Sequence, residues 1–205
     1  MHPNKEVAKM NVGVVSRPKK GFSANGDSYL IEKIDQKILI SVIDGIGHGV
    51  HADNAATRCV NTIKKYIQSS KDCNLIILFN RCHEALRNTD GVVMASVLID
   101  APCDTIRYAG IGNIATRIIG IKNIYPIPRG GIVGYNMPAV KEYTYPYKRG
   151  DLILMYTDGI ISRINSDLCI RLQNLEEQRI AEELFKQYAR EDDDATLLVA
   201  REEGI

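Results

Sequence analysis

Hydrophobic and polar positions divide the chain into strand-like and helix-like stretches. Glu6 to Val15 has strand character, which Arg17-Pro18-Lys19-Lys20-Gly21 interrupts. Asp27 to Ile34 and Lys37 to Ile43 read as two strands joined by a tight turn at Asp35-Gln36. Ala52, Ala55, Ala56, Cys59, Val60, Ile63 and Ile67 then recur at i, i+3, i+4, i+7 spacing, the mark of a helix with one buried stripe. Leu75, Leu78, Phe79, Cys82 and Leu86 repeat that spacing in a second helix, with Arg81, Glu84 and Arg87 on its solvated faces. Strand patterns return at Val92 to Ile99, Thr105 to Ile111, Ala115 to Ile119 and Asp151 to Tyr156. Ile180, Ala181, Leu184, Phe185 and Tyr188 predict a third helix, and Thr196 to Ala200 a last strand. The Gly-, Pro- and Tyr-rich stretch from Ile127 to Pro146 reads as loops and short edge strands. Strands arrive in runs and two helices as a pair, which fits a mainly antiparallel α+β fold better than a βαβ ladder.

Composition narrows the function more than the fold. A chain of 205 residues suits a single domain, residues 1–205, with a sizeable core. Twenty-six Lys and Arg face 25 Asp and Glu, a net charge of +1, so long-range attraction to nucleic acid or an anionic membrane is not expected. No apolar run is long enough to span a bilayer, and the polar Met1-His2-Pro3-Asn4-Lys5-Glu6 lacks the apolar stretch of a signal peptide. Cys59, Cys73, Cys82, Cys103 and Cys169 are scattered, with no C-x-x-C pair. A cytoplasmic protein with reduced, mostly buried thiols is expected.

Four aspartates sit where predicted strands begin or end. Asp27 lies in Asn25-Gly26-Asp27-Ser28, and Asp44 in Ile43-Asp44-Gly45-Ile46-Gly47-His48-Gly49. Asp158 lies in Tyr156-Thr157-Asp158-Gly159, and Asp193 in Asp192-Asp193-Asp194-Ala195-Thr196. Singly, each has a plain reading: Asp-Gly is a common turn, a run of aspartates a solvated loop, and Asp27 a turn residue or N-cap. Their combination points elsewhere. An acid at the end of a core strand enters a confined space, where its charge is costly unless compensated. Converging carboxylates stay ionised together only with a cation, and ligation by oxygen alone suits Mg²⁺ or Mn²⁺. The glycine after Asp44 and after Asp158 lets the backbone come close to a ligand.

Gly26-Asp27-Ser28, Asp44-Gly45-x-Gly47, Thr157-Asp158-Gly159 and Asp193-Asp194-x-Thr196 resemble, in order, the motifs of the PPM phosphatases, the protein phosphatase 2C class. The pattern is most similar to the bacterial group that includes sporulation phosphatase domains, and within it to the RsbX-like stressosome phosphatases. The Ala-rich helix after Gly49, Met94-Ala95-Ser96-Val97-Leu98, Gly110-Ile111-Gly112-Asn113 and Pro126-Ile127-Pro128 before Gly130-Gly131 also match, so the likeness runs from about Gly13 to Ala200. It implies an αββα sandwich of two antiparallel sheets flanked by helices. It also implies hydrolysis of phosphoserine or phosphothreonine by a water activated between two Mn²⁺ or Mg²⁺ ions. Asp44 is then the catalytic residue, acting with that metal-bound water and bridging both ions. The Gly45 carbonyl and Asp27 would hold the second ion, and Asp158 and Asp193 the first. The implied partners are phosphorylated STAS-domain scaffold or antagonist proteins of a stress-signalling complex.

The chain departs from the family at one point. Many members carry an arginine that grips the substrate phosphate a few residues before the first acidic motif; here Phe22-Ser23-Ala24 stands there, so no residue is assigned that role. His48 and His51 have no third ligand near them for zinc and read as rim residues, His48 being carried as a possible proton donor to the leaving group. His83 is expected to be structural or at the surface, and Asn113 to fix its turn rather than touch substrate. Arg129 to Pro146, with Tyr135 and Tyr143, is set against an ordinary surface loop as a docking surface. An inactive phosphatase-fold binding module and another two-metal phosphohydrolase are the competing functions. A nuclease is disfavoured by the lack of a basic stripe.

Overall fold

The computed structural model describes residues 9–70, 72–161, 164–165, 167, 171–172 and 174–203. The strands are β1 (Met10–Arg17), β2 (Asp27–Ile34), β3 (Lys37–Gly45), β4 (Val92–Asp100), β5 (Thr105–Ile111), β6 (Ala115–Ile119), β7 (Tyr143–Pro146), β8 (Leu152–Tyr156) and β9 (Ala195–Glu202). The helices are α1 (Val50–Ser69), α2 (Leu75–Leu86) and α3 (Glu177–Tyr188), and a short 3-10 turn at Ala101–Cys103 joins β4 to β5. One sheet has the order β1-β9-β8-β6 and the other β2-β3-β4-β5-β7. Every pairing within them is antiparallel.

Alternation along the strands produces the layers. In β3, Ile38, Ile40 and Val42 point to the other sheet and meet Ile153, Met155, Leu198 and Ala200 in a buried inter-sheet core. Leu39 and Ile43 point the opposite way, against Ala55, Ala56, Cys59 and Ile63 of α1 and Leu78, Phe79 and Cys82 of α2. Both faces of β3 and β4 are therefore covered, which is why these strands read as continuous apolar runs. On the far side, Ile180, Ala181 and Leu184 of α3 cover Leu154, Tyr156, Leu197 and Val199. The result is the expected four-layer sandwich: helices, sheet, sheet, helix. Cys59, Cys73 and Cys82 are buried and Cys103 is exposed, while Cys169 lies outside the described residues. Among the described residues no helix is long and apolar enough to cross a membrane.

Boundaries moved where pairing outweighed local pattern. β1 runs through Arg17, which lies opposite Ala195, and a residue before proline favours this extended backbone; residues 6–8 of the expected strand lie outside the described residues. β3 continues through Asp44 and Gly45, which face Val93 and Val92, so these two are strand residues rather than the start of a loop. Asp151 belongs to the turn before β8, its carboxylate accepting from the Lys148 N–H at 2.9 Å. The stretch from Ile127 to Pro146 supplies one edge strand, β7, as its composition suggested.

α3 sits so close to β1 that only glycine fits between them. A Cβ on Gly13 would lie 2.3 Å from backbone atoms of Glu177 and Gln178, which cannot swing aside. Gly13→Ala is therefore expected to cost about 1–3 kcal/mol and to lower the thermal midpoint of unfolding. An unchanged midpoint would show that α3 docks more loosely than described.

Candidate metal-binding active site

The site begins with strand register. Asp27, the first residue of β2, lies directly opposite Asp44 near the end of β3, and the Gly45 N–H donates to the Gly26 carbonyl at 3.0 Å. The other sheet brings Asp158 just past the end of β8 and Asp193 just ahead of β9, its neighbour in the sheet. Thr157 ties the two sheets together. Its hydroxyl donates to Asp27 Oδ2 at 2.8 Å and accepts from the Thr196 N–H at 3.0 Å, while its own N–H donates to the Thr196 carbonyl at 3.1 Å. The network continues through Thr196 Oγ1 to Ser16 Oγ at 2.7 Å and on to Asn25, whose Oδ1 accepts from the Asp27 N–H at 3.1 Å.

The glycines of the two Asp-Gly motifs are required by packing. A Cβ on Gly45 would lie 2.2 Å from the carbonyl oxygen of Ala52 in α1, and one on Gly159 would lie 1.9 Å from that of Asp194. The close approach expected at these glycines is made by neighbouring backbone.

Residues 34–203 match the model of the family described as Stage II sporulation protein E (SpoIIE). The chain belongs to the SpoIIE family. Membership places it among phosphatases of the serine/threonine class, as the motif set implies. It is 26% identical over 144 residues to the phosphoserine phosphatase RsbX of Bacillus subtilis (strain 168), a stretch covering 69% of this chain and 70% of RsbX. A solved structure described as the bacterial stressosome, a modular system adapted to control secondary messenger signaling, matches with a TM-score of 0.86 at 33% identity. It covers 94% of this chain and 100% of that one. RsbX crystallised with magnesium matches in fold with a TM-score of 0.82 at 21% identity, over 96% of this chain and 98% of that one.

In this SpoIIE-family site the carboxylates disfavour one another's charge. Burial, then Asp27, Asp158, Asp193 and Asp194, push Asp44 up to about 9. Burial lifts Asp27 to about 7, with help from Asp194 and Asp158 and against the hydrogen bonds of Thr157 and Thr196. Asp193 is raised by burial and by Asp158, with the Lys19 charge working the other way. Asp27 Oδ1 is buried without a hydrogen-bond partner. Such an oxygen, among neighbours that resist ionisation, fits a cation as its missing partner. Among the described residues no three His, Cys, Asp or Glu side chains close round a single point. The support for a cation is therefore the unpartnered Asp27 oxygen and the mutual effect of the carboxylates on one another's charge.

Three contributors were not assigned from the sequence. Asn113, expected only to shape its turn, donates from Nδ2 to Asp158 Oδ2 at 2.9 Å and so holds that carboxylate. Asp194 is buried and accepts from the N–H groups of Lys19 at 2.7 Å and Gly26 at 3.0 Å, pinning the segment that leads into Asp27. The adjacent acid in Asp193-Asp194-x-Thr196 was the one signal for it. Phe22, in the stretch Phe22-Ser23-Ala24, packs on His48 with ring centroids 4.9 Å apart. His48 and His51 are both exposed, in keeping with a rim position. His83 is structural, its Nδ1 accepting from the Gly134 N–H at 3.0 Å. Arg129 pairs by backbone with Gly110 and Gly112 near the site end of β5, whereas Tyr143 lies opposite Tyr108 further back along that strand.

The raised carboxylates set a pH dependence. Above the ordinary carboxylate range the unfolded chain releases these protons while the folded chain keeps them, so without metal stability should fall as pH rises through about 7 for Asp27 and about 9 for Asp44. In chelator, the midpoint of unfolding should drop from pH 5 to pH 9 in the wild type and drop less in Asp44→Asn. The variant should melt no lower than wild type at pH 8, and Mn²⁺ should raise the wild-type midpoint. A clearly lower midpoint for Asp44→Asn in chelator would mean that Asp44 makes structural hydrogen bonds.

Proposed function

We propose that the chain is a cytoplasmic metal-dependent phosphatase, working as one domain, that hydrolyses phosphoserine or phosphothreonine on a protein of a bacterial stress-signalling complex. The substrate is a phosphorylated STAS-domain scaffold or antagonist protein. One observation carries the catalytic part: Asp27 and Asp44, paired across β2 and β3, are both resistant to ionisation, and the buried Asp27 Oδ1 has no partner. The name of RsbX, a phosphoserine phosphatase, and the likeness to a stressosome structure support the part concerning substrate.

Asp44 would help hold both ions, the Gly45 carbonyl and Asp27 the second, and Asp158 and Asp193 the first. Two Mn²⁺ or Mg²⁺ ions supply activation of the attacking water and neutralisation of charge on the phosphoryl oxygens. The protein's own groups fix the arrangement. Thr157 orients Asp27, Asn113 orients Asp158, and Asp194 holds the segment before β2 in place. A phosphoserine carries roughly −1.5 to −2 charge, and an acidic pocket without metal offers it no compensating positive charge. No cysteine or serine nucleophile takes part.

Activity on para-nitrophenyl phosphate should require Mn²⁺ or Mg²⁺ and disappear in EDTA. Asp44→Asn should lower kcat/KM by about 100-fold or more, while Asp167→Asn, at an exposed position, should leave it unchanged. Full activity in chelator would remove the metal from the mechanism. Wild-type turnover in Asp44→Asn alongside its loss in Asp167→Asn would overturn the residue assignment.

A further inference from the structure

A basic groove of about 450 Å³ lies beside the aspartates, between the segment after β1 and the C-terminal turn of α3. Arg17, Lys19, Lys20 and Phe22 form one wall, Phe185 and Lys186 the other. Four cations thus line it, against one carboxylate, Glu191, which pairs with Lys20 at 2.6 Å. The Arg17 guanidinium donates to the neutral carbonyls of Pro18 and Arg190 and lies 5.7 Å from the Phe185 ring centroid, with Glu191 the acid of the groove near enough to feel its charge. The Lys19 ammonium stands 5.9 Å from the Phe22 ring centroid. In a chain whose net charge is only +1, four cations against one carboxylate in the lining make a local positive excess.

The groove is continuous with the site. Asp194 accepts from the Lys19 N–H at one end and from the Gly26 N–H beside Asp27 at the other. Phe22 forms the groove wall and packs on His48, which follows Asp44 by four residues. A polypeptide whose phosphorylated residue sits at the aspartates would therefore lay neighbouring residues along cations and two aromatic rings.

We propose that this groove is the docking surface for an acidic segment flanking the phosphorylated residue of the substrate protein. The proposal rests on the phosphatase reading above and names what selects the substrate. The metal site would take the phosphate alone, and the groove next door supplies attraction for the residues that flank it. Its aromatic walls give the backbone and side-chain stems of a peptide something to pack on, which a purely ionic patch lacks.

The test compares two phosphoserine peptides of equal length, one flanked by Asp and Glu and one by Ser and Asn, with Mn²⁺ at low salt. Wild type should favour the acidic peptide by about 10-fold in kcat/KM, the sum of a few exposed charge pairs. The ratio should fall towards one in Lys186→Glu, partly in Lys186→Gln, and towards one in wild type at high salt. A ratio of one in wild type, or a ratio that Lys186→Glu leaves intact, would overturn the proposal. Hydrolysis of para-nitrophenyl phosphate tests the phosphatase reading separately. If that hydrolysis is absent, fluorescence anisotropy with labelled, unphosphorylated versions of both peptides still decides the groove. Tighter binding of the acidic peptide, lost in Lys186→Glu, supports it. Equal binding, or capture by phosphatidylserine vesicles in preference to the acidic peptide, rejects it.

Discussion

Carboxylates crowded at one end of two packed sheets repel one another, and much of this structure is arranged around holding them there. Register places Asp27 against Asp44, and the ends of β8 and β9 bring Asp158 and Asp193 towards them. Nothing among these acids attracts its neighbour. What opposes the repulsion is a frame of hydrogen bonds: the Thr157 hydroxyl on Asp27, the Asn113 amide on Asp158, and two backbone N–H groups on Asp194. The frame is anchored in buried strands, so the cost of clustering charge is carried by the core. A divalent cation reverses the sign of the problem, turning mutual repulsion into shared attraction. Metal binding, folded-state stability and catalysis then become one question.

The division of labour among neighbouring acids follows from their surroundings. Asp194 is buried but accepts two backbone hydrogen bonds, and it serves the loop. Asp27 is equally buried yet keeps one oxygen without a partner. Asp158 is exposed and held by a single amide. Identical side chains thus differ in how much hydrogen-bonding capacity the fold leaves them, according to how many donors it has already aimed at them.

The four-layer fold was legible where periodicity was strong. The hairpin of β2 and β3, the α1 stripe and the apolar β4 were each marked by their own residues, because burial on one or both faces imposes the pattern. The four aspartates were legible as a set through motif order; the structure pairs Asp27 with Asp44 and leaves Asp158 and Asp193 near enough to act on the charge of Asp44. Less visible were features set by partners distant in sequence. β1 extends to Arg17 because β9 lies beside it, and Gly13, Gly45 and Gly159 are held to glycine by backbone from other elements. The hold of Asn113 on Asp158 spans 45 residues and the bond between Thr157 and Asp27 spans 130, so no local spacing could announce either. The basic groove draws its walls from opposite ends of the chain, and a balanced net charge concealed it.

The proposed function requires that these aspartates together form a site for two divalent cations. Counting Mn²⁺ ions bound per chain, by calorimetric titration with electron paramagnetic resonance of the free ion, tests it most directly. The account predicts two ions for the wild type and the loss of both in Asp44→Asn, since one carboxylate serves both. A wild-type chain that binds one ion or none, or an Asp44→Asn variant that still binds two with unchanged affinity, would contradict it.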